Sequence, residues 1–197
     1  MQFPQLDKYR NPISWVAIIS LIFIFLGLSS VFSINIPNSD DYKQLFHFVL
    51  NYLEASSFVE KSALIFEQKN EHRIALLRFF TLLDWSIFGK LNFTHSIFAG
   101  NIALVGCFFL MWRYLHKQGM GIYHVLPLAL LFFVPVFEIN TWSAAGFPYN
   151  FVTLFILITP FLLQKDSSIH FSLAILTAAL ATFTFGNGLL AFLIAYP

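Results

Sequence analysis

Residues 13–33 contain no charged side chain, and that run constrains this chain more than any other feature. It follows Lys8, Arg10 and Pro12, and at ~20 residues it matches the hydrocarbon thickness of a bilayer when helical. A cleaved signal peptide competes with this reading, with Val31-Phe32-Ser33 as a tolerable cleavage site. The run exceeds the ~7–15 apolar residues of a signal core, so an uncleaved anchor is expected.

Four more apolar runs follow, at about 93–115, 123–139, 148–163 and 169–185. The last is interrupted by Gly186-Asn187-Gly188, after which "LLAFLIAYP" reaches Pro197. Several runs are short for a full crossing, which favours tilted or broken helices. Composition agrees: mean hydropathy is +0.73, 58% of residues are hydrophobic, and 26 are Phe. The expected fold class is all-α, a polytopic transmembrane helical bundle. An ending inside an apolar run is read as the mark of a fragment or truncated product. Net charge is +1, which gives no polyanion-binding surface and no reason to expect a nucleic-acid partner. Cys107 is the only cysteine, so neither an internal disulfide nor a Cys-rich metal motif is available.

Lys and Arg in short connections give the orientation. Lys8 and Arg10 precede the first run, Arg113 and Lys117 end the second, and Lys165 lies between the fourth and fifth. The 137–148 connection has neither Lys nor Arg. The expected arrangement puts 1–12 in the cytoplasm, 13–33 across the membrane, 34–92 in an outer loop, and 93–197 in about four further spans, the last incomplete.

That outer loop holds seven of the ten acidic residues and six of the eleven Lys and Arg. Leu45, Phe48, Val49, Tyr52 and Leu53 fall at helical spacing, so 41–55 reads as an amphipathic helix with Ser39 or Asp40 as N-cap. A second short helix is expected in 57–70 and a third over 71–91. In the third, Glu71 and Arg78 share one side, Arg73 and Asp84 another, and no single polar face results. As a span it would bury Arg78 and Asp84 at roughly 2.5–3.5 kcal/mol each. A helix lying in the interface fits better.

Candidate chemistry sits in the same loop. Asp40-Asp41 could act as a general base or hold a divalent ion, or could cap a helix. Glu71-His72-Arg73, with Arg78 beyond, offers a planar guanidinium fork and a titratable ring suited to a phosphate at the membrane surface. Glu138 and Asn187 are secondary candidates. His95, His124 and His170 read as interfacial, and Asn92-Phe93-Thr94 as a chance glycosylation triplet.

A single span, an outer loop opening with "DDY" at 40–42, amphipathic helices and then many spans together resemble the amino-terminal part of the GT-C type polytopic glycosyltransferases. "EHR" at 71–73 before an apolar helix with a second Arg, and "FGNGLL" at 185–190, are similar to runs in bacterial members. The resemblance implies a transferase that moves a sugar from a polyprenyl-phosphate donor to an envelope glycan, lipid or protein acceptor. It implies the outer face of a bacterial inner membrane. Asp40 and Asp41 would be catalytic, with Mg or Mn between them left open. Glu71, His72, Arg73 and Arg78 would bind the donor phosphate. Family members are longer, so this length alone is not expected to be active. The competing readings are a lipid-linked sugar transporter or flippase, and a non-catalytic membrane subunit or remnant.

Overall fold

The computed structural model describes residues 4–38, 40–69, 72–134 and 143–194. They are almost entirely helical. Helix α1 (Pro4–Phe32) is followed by a π-helical turn (Tyr42–Phe46), α2 (His47–Glu54), α3 (Phe58–Phe66) and α4 (Ala75–Phe88). Then come α5 (Phe93–Lys117), a 3-10 turn (Ile122–Val125) leading into α6 (Leu126–Phe133), α7 (Gly146–Leu163) and α8 (Ser168–Thr184). A second 3-10 turn (Gly186–Leu189) enters the short α9 (Leu190–Ile194). One two-residue antiparallel pair, β1 (Gln68–Lys69) with β2 (His72–Arg73), sits between α3 and α4.

Among the described residues, three helices are long and apolar enough to cross a membrane: Asn11–Phe32, Phe93–Lys117 and Gly146–Leu163. Two more are apolar but shorter, Ile122–Phe133 and Ser168–Thr184. The third apolar run thus forms only about 18 Å of described helix at 1.5 Å per residue, ending at Phe133.

Pairwise contacts fix how these helices run. Trp15 meets Trp112 edge-on at 4.9 Å, and Asn101 Nδ2 donates to Ser29 Oγ at 2.6 Å, so α5 runs antiparallel to α1. Ile18 and Val125 share a core cluster, and Phe25 lies 5.6 Å from Phe133, so α6 runs parallel to α1. A Cβ on Gly100 would come within 2.9 Å of Phe147 Cα, and one on Gly106 within 3.1 Å of Leu154, so α7 runs parallel to α5. Thr159 bonds Thr177 at 3.1 Å while Val152 packs on Ala178 and Ala181, which makes α7 and α8 an antiparallel hairpin. Its seam works because Ala174, Ala178 and Ala181 present small side chains at near-helical spacing, letting the backbones approach.

The bundle therefore has two chemically different ends. One gathers Trp15, Trp112 and the Lys117 Nζ–Gln164 Oε1 bond of 3.0 Å. The other carries the described residues of the 34–92 segment, tied down where Asn35 Oδ1 accepts from the Phe93 backbone N–H at 2.9 Å. There Leu45, Ile74, Leu77, Phe93, Ala144 and Phe147 form one apolar core under the loop helices.

Two expected helices form close to their predicted extents. Residues 40–54 are helical, with a π turn over Tyr42–Phe46 near the start. Helix α3 starts on a capping box: Ser57 Oγ accepts from the Glu60 N–H, and the Glu60 carboxylate accepts from the Ser57 N–H. The third differs. The sequence suggested one helix over 71–91, but α4 begins only at Ala75, because residues 72–73 are committed to strand pairing with 68–69. Its outward face is apolar: Phe79, Leu83 and Ile87 recur every four residues and are exposed, while Arg78, Thr81 and Asp84 are buried. Polar groups thus point inward and apolar groups outward along α4.

Candidate functional site

Asp40 and Asp41 are adjacent but do opposite things. Asp40 is exposed, whereas Asp41 is 4% exposed. Asp41 Oδ2 accepts the Asn38 backbone N–H at 3.1 Å, and its carboxylate also accepts the N–H of Ala144, just before α7. Burial pushes its pKa up; the two backbone N–H groups pull it back, and the neighbouring Asp40 charge adds a smaller upward push. The helix-cap expectation for Asp40 is not met in that form. The residue preceding the π turn is Asp41, and its side chain caps no helix N–H. The other expected cap, Ser39, lies outside the described residues.

A divalent ion between the two carboxylates does not fit this arrangement. Asp41 is turned to backbone amides, and no group of three or more His, Cys, Asp or Glu able to hold a metal occurs among the described residues.

His72 and Arg73 form β2, paired as Lys69 with His72 and Gln68 with Arg73. They precede α4, so the free N–H groups of a helix start do not surround them as expected; Ile74 occupies the N-cap position. Their anchor is the far end of α8. The His72 ring stacks on Phe185 with centroids 3.9 Å apart and planes 21° apart, and the Arg73 guanidinium lies 5.7 Å from the Phe183 ring centre. His72 Nδ1 is buried and has no partner among the described residues. Glu71 and Glu138 lie outside the described residues.

Arg78 departs from its expected role as a phosphate ligand. It is fully buried, and its Nη1 donates to the carbonyls of Leu64 (2.6 Å) and Glu67 (3.0 Å) at the end of α3. Nη2 is 3.4 Å from the Glu67 carboxylate, and Phe48 covers the guanidinium at 5.0 Å. Burial pulls the Arg78 pKa down while Glu67 pulls it up. This cation neutralises unpaired helix-end carbonyls and is not available to a ligand.

Asn187 is exposed in the second 3-10 turn and lines an open groove of about 430 Å³ with Tyr149, Asn150, Thr153 and Phe185. The Tyr149 and Phe185 rings lie 4.5 Å apart. Tyr149, Phe185 and His72 thus form a three-ring pile that joins α7, the end of α8 and β2. Asp41, through Ala144, reaches the same end of α7.

Sequence reasoning missed one further cluster. His95 Nδ1 lies 2.6 Å from Asp84 Oδ1, and His95 Nε2 lies 3.0 Å from Asn92 Nδ2. His95 is therefore a partnered residue and more than an interfacial one. The signal available was the helix–Gly89–helix hairpin, which returns His95, in the first turn of α5, beside Asp84. Compared with known proteins, the chain matches no family model, no curated protein and no solved structure.

Proposed function

We propose that this chain belongs to an integral membrane glycosyltransferase of the GT-C type, taking sugar from a polyprenyl-phosphate donor at the outer face of a bacterial inner membrane. One observation carries the reading: Asp41 and the His72–Arg73 strand dock on the same end of the α7–α8 hairpin, through Ala144 and through Phe183 and Phe185. A carboxylate, an imidazole and a guanidinium reach that end from separate loop segments, over helices whose outward faces are apolar. Arg113, Lys117 and Lys165 cluster by sequence at the opposite end, which favours that end as cytoplasmic.

In this reading the Asp41 carboxylate takes the proton of an acceptor hydroxyl; its burial makes it a stronger base than an exposed aspartate. The hydroxyl oxygen bonds to the anomeric carbon as the bond from that carbon to the phosphate oxygen breaks. The electron pair leaves with polyprenyl phosphate, whose developing charge meets Arg73 and His72. Positive charge on the sugar ring peaks in the same transition state. Arg78 has no part in this step.

Donor binding and transfer test the proposal separately. In reconstituted vesicles, Arg73→Ala should weaken binding of a polyprenyl-phosphate hexose by roughly tenfold, the equivalent of about 1.4 kcal/mol. Asp41→Asn should leave binding in place and abolish transfer in the transfer-competent protein. Undiminished affinity in both Arg73→Ala and His72→Ala overturns the phosphate site. Full transfer by Asp41→Asn overturns the catalytic assignment.

A further inference from the structure

We propose that the groove between α7 and the 186–190 turn binds the uncharged, hydroxyl-rich head of a membrane glycolipid. This reaches beyond the transferase reading, because it requires binding only. The groove of about 430 Å³ is lined without any Asp, Glu, Lys, Arg or His. A phosphate head would find no cation in it, and a choline head no anion. What it does contain is a set of neutral donors and acceptors beside an aromatic wall.

The decisive group is Asn150. It lines the groove and is 6% exposed, and its Nδ2 has no hydrogen-bond partner among the described residues. A buried amide N–H left unpaired costs about 1–3 kcal/mol, and a ligand oxygen removes that cost once the Asn150 amide, now buried, turns into the groove. One turn on, Thr153 Oγ donates its proton to the Tyr149 carbonyl at 2.8 Å, leaving its lone pairs for a ligand O–H. Asn187 adds a second amide, with one donor and one acceptor end, at the rim. Hydroxyls both donate and accept, so a sugar satisfies this mixture where an acceptor-only anion does not.

Geometry supplies the rest. Tyr149 and Phe185 give the groove an aromatic side, suited to the C–H face of a pyranose. Ile156 lies two turns farther along α7 than Tyr149, about 10 Å at 1.5 Å per residue, and with Leu190 continues the lining in aliphatic form. An amphiphile thus finds its head site toward the loop end and its tail site toward the bundle centre. The rim is built: a Cβ on Gly188 would overlap the Ala181 carbonyl, so Asn187 sits on a turn seated directly on α8.

The test uses the chain in phosphatidylcholine vesicles doped with a glucosyl diacylglycerol carrying a photoreactive group on its acyl chain near the glycerol. Labelling is expected on α7 near Ile156 and on 189–190. Excess unlabelled glucosyl diacylglycerol should suppress it, while phosphatidylglycerol and free glucose should not. Asn150→Leu should lower labelling roughly tenfold, the equivalent of about 1.4 kcal/mol. Asn187→Ala, at an exposed position, should lower it less and keeps the test valid if Asn150→Leu fails to fold. Equal competition by phosphatidylglycerol, labelling spread over all lipid-facing helices, or no change in either variant overturns the proposal. Arg73→Ala should not alter labelling, so failure of the transferase reading and failure of this one are separable.

Discussion

Arg78 Nη1 lies 2.6 Å from the carbonyl oxygen of Leu64, a residue fourteen positions earlier on another helix. Its second bond, to the Glu67 carbonyl at 3.0 Å, makes the guanidinium the C-terminal cap of α3. Removing it takes the donor from a carbonyl on half-buried Leu64 and from one on exposed Glu67, which water can serve. An unpaired buried carbonyl costs about 1–3 kcal/mol, so Arg78→Ala should lower the stability of the 34–92 segment by an amount in that range. Arg78→Lys should recover part of it, because one ammonium lacks the fork that serves Nη1 and Nη2 together. Thermal unfolding in detergent, followed by tryptophan emission, measures this. Donor affinity per folded molecule should not change, and a selective loss of affinity at unchanged stability would contradict the capping role.

Asp41 predicts a pH dependence whose sign follows from its raised pKa. Between its ordinary value of 3.8 and the raised folded value, the folded chain keeps a proton that the unfolded chain has released. The stabilisation is fully present below that window and is lost as pH rises through it. Asp41→Asn keeps an oxygen to accept a backbone N–H and removes the titration. Its stability should be flatter than wild type across the window, and stability curves at a series of pH values measure the difference. Parallel curves would mean that the Asp41 carboxylate is not desolvated.

The Asn92 side chain fixes the chemistry of the Asp84–His95 pair. Asn92 Oδ1 accepts both the Thr94 N–H (3.1 Å) and the Thr94 hydroxyl (2.6 Å), so the amide cannot be flipped without losing the N-cap of α5. Its Nδ2 must therefore be the donor to His95 Nε2, and Nδ1 must carry the proton that meets Asp84. Nitrogen-15 spectra of labelled histidine should show one ring with the Nδ1–H tautomer, and Asp84→Ala should remove that signal. The same variant should destabilise the α4–α5 hairpin by about 1–3 kcal/mol. An Nε2–H tautomer at His95 would refute this arrangement.

Apolar runs were legible because span length and burial depend on local composition. The runs at 13–33, 93–115, 148–163 and 169–185 lie within or nearly coincide with α1, α5, α7 and α8. The Ser57–Glu60 capping box is also a local signal, and α3 starts on it. Partnerships were not legible. Arg78 and Asp84 read as a penalty in one helix because the carbonyls of 64 and 67 and the ring of His95 come from other elements. The start of α4 was misplaced for the same reason: pairing of 72–73 with 68–69 is a contact between two separate segments, and no helix-stop residue announces it. Asp40 and Asp41 look equivalent in sequence, and only docking against Ala144 separates them.

Gly100 tests the bundle itself. A Cβ there would stand 2.9 Å from Phe147 Cα and 3.1 Å from Phe147 N, and a backbone cannot swing aside as a side-chain tip can. Gly100→Ala must push α5 from α7 at the end where Ala144 and Tyr149 hold the candidate site. Overpacking of this kind costs about 1–3 kcal/mol. Gly27→Ala, on α1, is the matched control, since nothing lies within 4 Å of its Cβ. There the change should be neutral to stabilising, by up to about 1 kcal/mol from helix propensity. Paired unfolding curves in one detergent decide it. Equal melting of the two variants would mean that α5 and α7 do not approach as closely as Gly100 and Phe147 require.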